Sequence, residues 1–164
     1  MTAASPRVRV QEAPFDLGAE SAALAAGRDD VGAVASFVGL CRGDDGLAAL
    51  VLEHYPGMTE RAMAGIAAEA CARWPLSGCT VVHRVGRLRP GEPIVLVLTA
   101  SSHRAAALES CAFLIDWLKT GAPFWKREEF ADGRGERWVE AKAEDDAAAS
   151  RWERAGDTAG SAAA

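Results

Sequence analysis

The chain has 164 residues, 49% of them apolar and 25% charged, the composition expected of one soluble globular domain with a core of its own. A formal net charge of −5 argues against a general nucleic-acid binder, whose surface is usually basic, so any cationic site has to be local. No apolar run approaches the roughly 20 residues that span a bilayer, and the opening MTAASPRVRVQEAPFD lacks the apolar core of a secretory signal, so a cytoplasmic location is expected.

Taken in chain order, residues 7–12 alternate polar and apolar side chains and predict a short first strand. Residues 17–27 are alanine-rich with Leu17 and Leu24 at helical spacing, and Gly27 closes a predicted helix. VGAVASFVG (31–39) is β-branched and aromatic between glycines, a buried strand. LCRGDDG (40–46) supplies residues that tolerate positive φ, and LAALVLEHY (47–55) reads as the returning strand of a hairpin. Arg42 would lie at the mouth of that hairpin.

Pro56-Gly57 ends the strand. Thr59 is the expected N-cap of a helix over 59–73, with Glu60 in the first turn and Met63, Ile66, Ala67, Ala70 and Trp74 on its apolar face. Residues 79–85 and 93–100 (PIVLVLTA) predict two further strands, with 86–91 as a link. A helix is expected from 103 to 119, its buried stripe being Leu108, Cys111, Ala112, Ile115 and Leu118. Residues 124–130 and 137–141 pair as strands across the turn 132–135, and 144–154 makes a terminal helix carrying Trp152. Strands and helices mix without strict βαβ alternation, so the fold class is α+β with a largely antiparallel sheet. One domain is expected over 1–154, followed by a disordered alanine-rich tail, 155–164.

The four cysteines (Cys41, Cys71, Cys79, Cys111) form no C-x-x-C pair and no metal-ligand spacing, and are expected as small buried residues; no metal is implied. No P-loop, G-x-G-x-x-G, G-x-S-x-G or H-E-x-x-H motif is present. His54 and His83 lie in predicted strands without partners at ligand spacing and read as structural. Arg84, Arg87 and Arg89 read as surface charge.

Attention therefore falls on SSHRAAALESCAFLIDWLKTGAPFWKRE (101–128). Ser101-Ser102-His103-Arg104 opens a helix after an apolar strand, where free N–H groups and the helix dipole favour an anion. The same residues also fit a plain helix cap with solvated cations. Lys119 sits in the last turn, where the dipole alone would favour it. Trp117, Pro123, Phe124 and Trp125 nearby would desolvate an ammonium and make it usable as an acid, base or nucleophile, and Lys126 would add a second cation. Lys126 and Glu128 share one face of the following strand and Arg127 takes the other.

Together these residues resemble the large, catalytic subunit of molybdopterin synthase. The resemblance is carried by residues 32–39 with Arg42, LEHYPGMT (52–59), WPL (74–76), VHRVG (82–86), SSHR (101–104), LKT (118–120), APFWKRE (122–128) and WVE (138–140), and it covers roughly residues 8–152. It implies an α/β hammerhead-type α+β fold. It implies a homodimer that binds two copies of a small ubiquitin-like sulfur-carrier subunit. The implied reaction turns cyclic pyranopterin monophosphate (precursor Z) into molybdopterin, with two sulfurs taken from the carrier's C-terminal thiocarboxylate and no metal or organic cofactor. By the same resemblance Lys119 and Lys126 are catalytic. Arg42, His103, Arg104, Arg127, Glu128, Leu40 and Cys41 hold substrate, with His103 and Arg104 reaching the site from the neighbouring protomer. Gly121 departs from the basic residue expected there in many relatives, and the RGDDG turn is short and acidic. Two other function classes compete: a non-catalytic pterin- or carrier-binding scaffold, and an unrelated enzyme that forms a Schiff base on lysine.

Overall fold

A computed structural model of the chain describes residues 4–139 and 143–153. Eight strands form two four-stranded sheets. The first sheet contains β1 (Arg7–Gln11), β2 (Ala33–Leu40), β4 (Leu76–Arg84) and β6 (Pro93–Ser101), in the order β1-β4-β6-β2. Only the β1–β4 pair is parallel; β4–β6 and β6–β2 are antiparallel. The second sheet, β5-β3-β7-β8, is antiparallel throughout and comprises β3 (Leu47–His54), β5 (Gly86–Leu88), β7 (Phe124–Phe130) and β8 (Glu136–Val139). The α+β class and the largely antiparallel pairing follow directly.

Helices cover both faces of the first sheet, which explains the nearly unbroken apolar run of β6. Val81, Val95 and Val97 pack with Met63, Ala67 and Ala70 of α2 (Met58–Arg73) and Leu114 and Leu118 of α3 (Arg104–Gly121). On the opposite face Val82, Leu96, Leu98 and Ala100 pack with Leu24 of α1 (Leu17–Ala25). Gly32 allows β2 to pass close to the start of α3: a Cβ there would stand 2.2 Å from the Ser102 carbonyl oxygen. All four cysteines are buried and free, as expected.

Four sequence expectations are corrected. The strands before and after residues 40–46 do not form a hairpin. β2 spends its hydrogen bonds on β6, and β3 spends its own on β5 and β7. The turn, with Asp45 at φ 56° and Gly46 at φ 74°, instead carries the chain from one sheet to the other. Thr59 is not an N-cap: Gly57 holds that place, its N–H donating to Glu60 Oε2 at 2.6 Å. The Thr59 hydroxyl is buried, accepts from Tyr55 N–H at 3.2 Å and donates to the Pro123 carbonyl at 3.3 Å, tying α2 to the approach of β7.

The buried stripe of α3 runs through Ala107, Ser110, Cys111, Leu114 and Leu118, leaving Leu108 60% exposed. Small Ala107 and Ser110 let the helix approach β6, and Thr99 Oγ1 donates to the Ala107 carbonyl at 2.6 Å. Arg84 is not surface charge but buried, donating to the carbonyls of Glu12 (2.9 Å) and Pro93 (3.0 Å). The terminal helix α4 spans Ala143–Ser150, and Trp152 just beyond it packs edge-on against Trp74 and Phe113. The expected tail, 155–164, and the end of the last predicted strand lie outside the described residues. Among the described residues no helix is long and apolar enough to cross a membrane.

Candidate active site

A cleft of about 520 Å³ opens between the second sheet, the end of α3 and the β2 side of the first sheet. Strand alternation decides which side chains enter it. On β7 the even positions Phe124, Lys126, Glu128 and Phe130 line the cleft, and the odd positions do not. Lys119 arrives from the last turn of α3, one turn beyond Ile115 and next to Leu118, both of which also line the wall. Thus two lysines seven positions apart in sequence meet in one hollow, because the chain reverses at Ala122-Pro123 and returns along β7.

The remaining walls come from further away. Gly39, Leu40, Cys41 and Arg42 line the cleft from the end of β2, and Ile94 and Val95 from β6. Four cations (Arg42, Lys119, Lys126, Arg137) face three carboxylates (Asp44, Asp45, Glu128), so a chain of net charge −5 holds a locally cationic hollow. Lys119 Nζ lies 3.7 Å from Asp145 Oδ1 of α4 and its side chain is 47% exposed. Arg42 pairs with Asp44, at 3.4 Å, on the open rim. Glu128 accepts from Arg137 Nη2 at 2.6 Å across the β7–β8 register. Burial, helped by the Glu92 charge, raises the Cys41 thiol above its ordinary value, so it serves as a wall group and not as a thiolate.

Arg127 lies on the other face of β7. It donates to Glu136, lies 3.7 Å from Glu129 and sits over the Trp138 ring at 6.0 Å. His103 and Arg104 are at the opposite end of α3 from Lys119, roughly 22 Å away along the helix at 1.5 Å per residue. Both are exposed, and among the described residues neither side chain has a hydrogen-bond or ion-pair partner. Neither Ser101 nor Ser102 caps the helix. His103 is the N-cap residue without a side-chain bond, while Ser101 Oγ donates to the Pro75 carbonyl at 2.9 Å. Gly121 faces α2: a Cβ there would lie 3.1 Å from Ile66 Cδ1.

Two wall residues escaped the sequence. Arg137 had a readable signal, since counting back from the 132–135 turn sets it opposite Glu128. His83 had none. It lies on β4, 8% exposed, with its ring stacked on Phe124 at 3.8 Å between centroids. Chemically the cleft offers two ammonium and two guanidinium groups against a wall of aliphatic side chains. Such an arrangement is chemically able to hold an anion and to protonate a departing oxygen, with charge interactions strengthened where water is excluded.

The likeness to known proteins agrees with this architecture. A family model described as MoaE protein matches residues 10–121. A curated relative from Mesorhizobium japonicum, named molybdopterin synthase catalytic subunit, is 60% identical over 149 residues, covering 90% of this chain and 94% of that protein. A solved structure of a molybdopterin biosynthesis MoaE protein from Burkholderia ambifaria aligns with a TM-score of 0.78 at 54% identity, over 90% of this chain and 97% of the other. The crystal structure of a molybdopterin synthase from Staphylococcus aureus aligns with a TM-score of 0.71 at 29% identity, over 80% of this chain and 95% of the other. By this extent of identity and coverage, the chain belongs to the MoaE protein family.

Proposed function

We propose that this protein is the catalytic subunit of a molybdopterin synthase, a cytoplasmic sulfurtransferase of molybdenum cofactor biosynthesis. It converts cyclic pyranopterin monophosphate into the dithiolene product with sulfur from the thiocarboxylated C-terminus of a small carrier subunit. The observation that carries the reading is the convergence of Lys119 and Lys126 on one cationic cleft in a chain of this family.

The chemistry matches the wall. The carrier's tail is an extended peptide ending in an anion, and the substrate carries a cyclic phosphate; both gain from fixed ammonium and guanidinium groups. As the thiocarboxylate sulfur attacks a substrate carbon, the displaced oxygen gathers charge, and a lysine ammonium supplies the proton. Lys119, on the exposed side and paired with Asp145 in the free chain, exchanges that partner for the incoming anion. Lys126, on the β7 floor beside Glu128, faces the same space. Arg42 on the rim and Glu128 on the floor contact substrate, with Leu40 and Cys41 forming the adjacent wall. Arg127, which faces away within one chain, contributes through its pairs with Glu129 and Glu136.

His103 and Arg104 complete the site of a second copy in a homodimer. This accounts for cations in the first turn of α3, where the helix dipole disfavours them unless an anion lies close. The test is direct: incubation with cyclic pyranopterin monophosphate and thiocarboxylated carrier is expected to yield molybdopterin. Recovery of unchanged pterin alongside intact carrier complexes would defeat the reading in favour of a binding scaffold.

A further inference from the structure

Among the donors that line the cleft stands one neutral acceptor. His83 Nδ1 lies 2.8 Å from the Arg84 carbonyl oxygen. A carbonyl only accepts, so Nδ1 carries the proton and donates it, which leaves Nε2 with its lone pair. The ring is fixed in plane by its stack on Phe124, at an interplanar angle of 19°. Phe124 and Lys126 are alternate residues on the cleft face of β7, roughly 7 Å apart along the strand. The imidazole and Lys126 line the same cleft, close enough for the Lys126 charge to act on the ring. Burial first, and then the charges of Lys126 and His54, hold the ring's pKa down to about 4, so it stays neutral near pH 7.

We propose that His83 is a positioning residue for Lys126: its Nε2 lone pair accepts a hydrogen bond from the Lys126 ammonium and aims that group at the reacting atoms. The Arg84 carbonyl selects the tautomer and Phe124 selects the ring plane, so both supports are built into the fold. An ammonium has three N–H donors on a flexible stem. Committing one to a fixed neutral acceptor restrains the stem. A second cation at this position would repel Lys126, and a carboxylate would neutralise it; a neutral imidazole does neither. The inference rests on the reading that Lys126 takes part in sulfur transfer.

The experiment compares single-turnover sulfur transfer by the wild type, His83→Phe, Lys126→Ala and the double variant, with saturating carrier and pterin. His83→Phe keeps the aromatic stack and removes the nitrogen. It is expected to slow transfer roughly 10- to 100-fold, the scale of a misplaced catalytic group. It should leave KM within about twofold of wild type, and cost nothing further in the Lys126→Ala background. Wild-type speed in His83→Phe beside a slow Lys126→Ala would overturn the role of His83 alone, as would equal losses in both backgrounds. Wild-type speed in Lys126→Ala would overturn the lysine reading and this inference with it. A second measurement needs no variant fold: ¹⁵N shifts of labelled wild-type histidine at pH 7 are expected to show His83 protonated on Nδ1. Protonation on Nε2 instead would overturn the proposal.

Discussion

The two ends of α3 are built on opposite principles. At its C-terminal end the helix runs into a cleft, with Leu118 buried, Lys119 facing Asp145 and the β7 floor close by. There a lysine also suits the negative end of the helix dipole. At its N-terminal end His103 and Arg104 lie in the open, unfavourably placed on the dipole and, among the described residues, without side-chain partners. A cation that local electrostatics disfavours, with no partner among the described residues, fits the proposed role in a second copy's site. In the proposed homodimer these two ends, roughly 22 Å apart in one chain, would come together as unlike halves of one cationic site.

That contrast can be broken at several points. Lys119→Ala is expected to reduce single-turnover sulfur transfer by roughly 10²- to 10⁴-fold, the usual worth of a positioned proton donor, with carrier binding retained in a pull-down or titration. Unimpaired turnover would remove the cleft end from the chemistry.

Next in size is an acid sensitivity at the cleft end. The His83 ring binds a proton at about 4 when folded against 6.5 in the unfolded chain, so the unfolded chain takes up more protons between those values. Stability is therefore fully present above pH 6.5 and is lost as pH falls toward 4, by about 3 kcal/mol in all. Urea titrations of the wild type from pH 7 to pH 4 should show the loss, and His83→Phe should flatten it. The nearby charges of Lys126 and His54 act in the same direction as burial.

At the other end Arg104→Ala should raise the KM for the pterin by roughly 10- to 100-fold, the loss of one charge-assisted contact, with the melting temperature unchanged because the residue is exposed. Smallest is Arg127→Ala. Its pairs with Glu129 and Glu136 lie on the strand face away from the cleft, so stability should change by less than about 1 kcal/mol. Turnover measured beside the melting curve tells whether Arg127 acts on substrate, as the resemblance implied, or only through those pairs.

Local rules carried the sequence reading a long way and failed where partners are chosen. Hydrophobic period and breaker residues located every strand and helix to within a few residues, apart from the short β5, read as a link. The β7 alternation correctly separated Lys126 and Glu128 from Arg127. Which strand pairs with which is a different matter: the 40–46 turn carries all the residues of a hairpin, and only the competing edge of β6 decides that β2 pairs elsewhere. The α3 stripe was misphased because large apolar residues dominate such a pattern, whereas Ala107 and Ser110 face the sheet and Leu108 does not. His83 was unreadable as a cleft residue for a similar reason. Its place depends on a second sheet folding over β4, and no short spacing in the sequence records that.

The claim that one helix serves two sites is tested most directly by co-expressing Lys119→Ala chains with Arg104→Ala chains and assaying the purified mixture at pterin concentrations well below the KM of the Arg104→Ala variant. If the two ends act in different copies, each mixed dimer holds one site with both groups intact, and activity should return to about a quarter of wild type with random pairing. If both ends act within one chain, every site in the mixture carries a defect, and activity no higher than that of the separate variants would contradict the account.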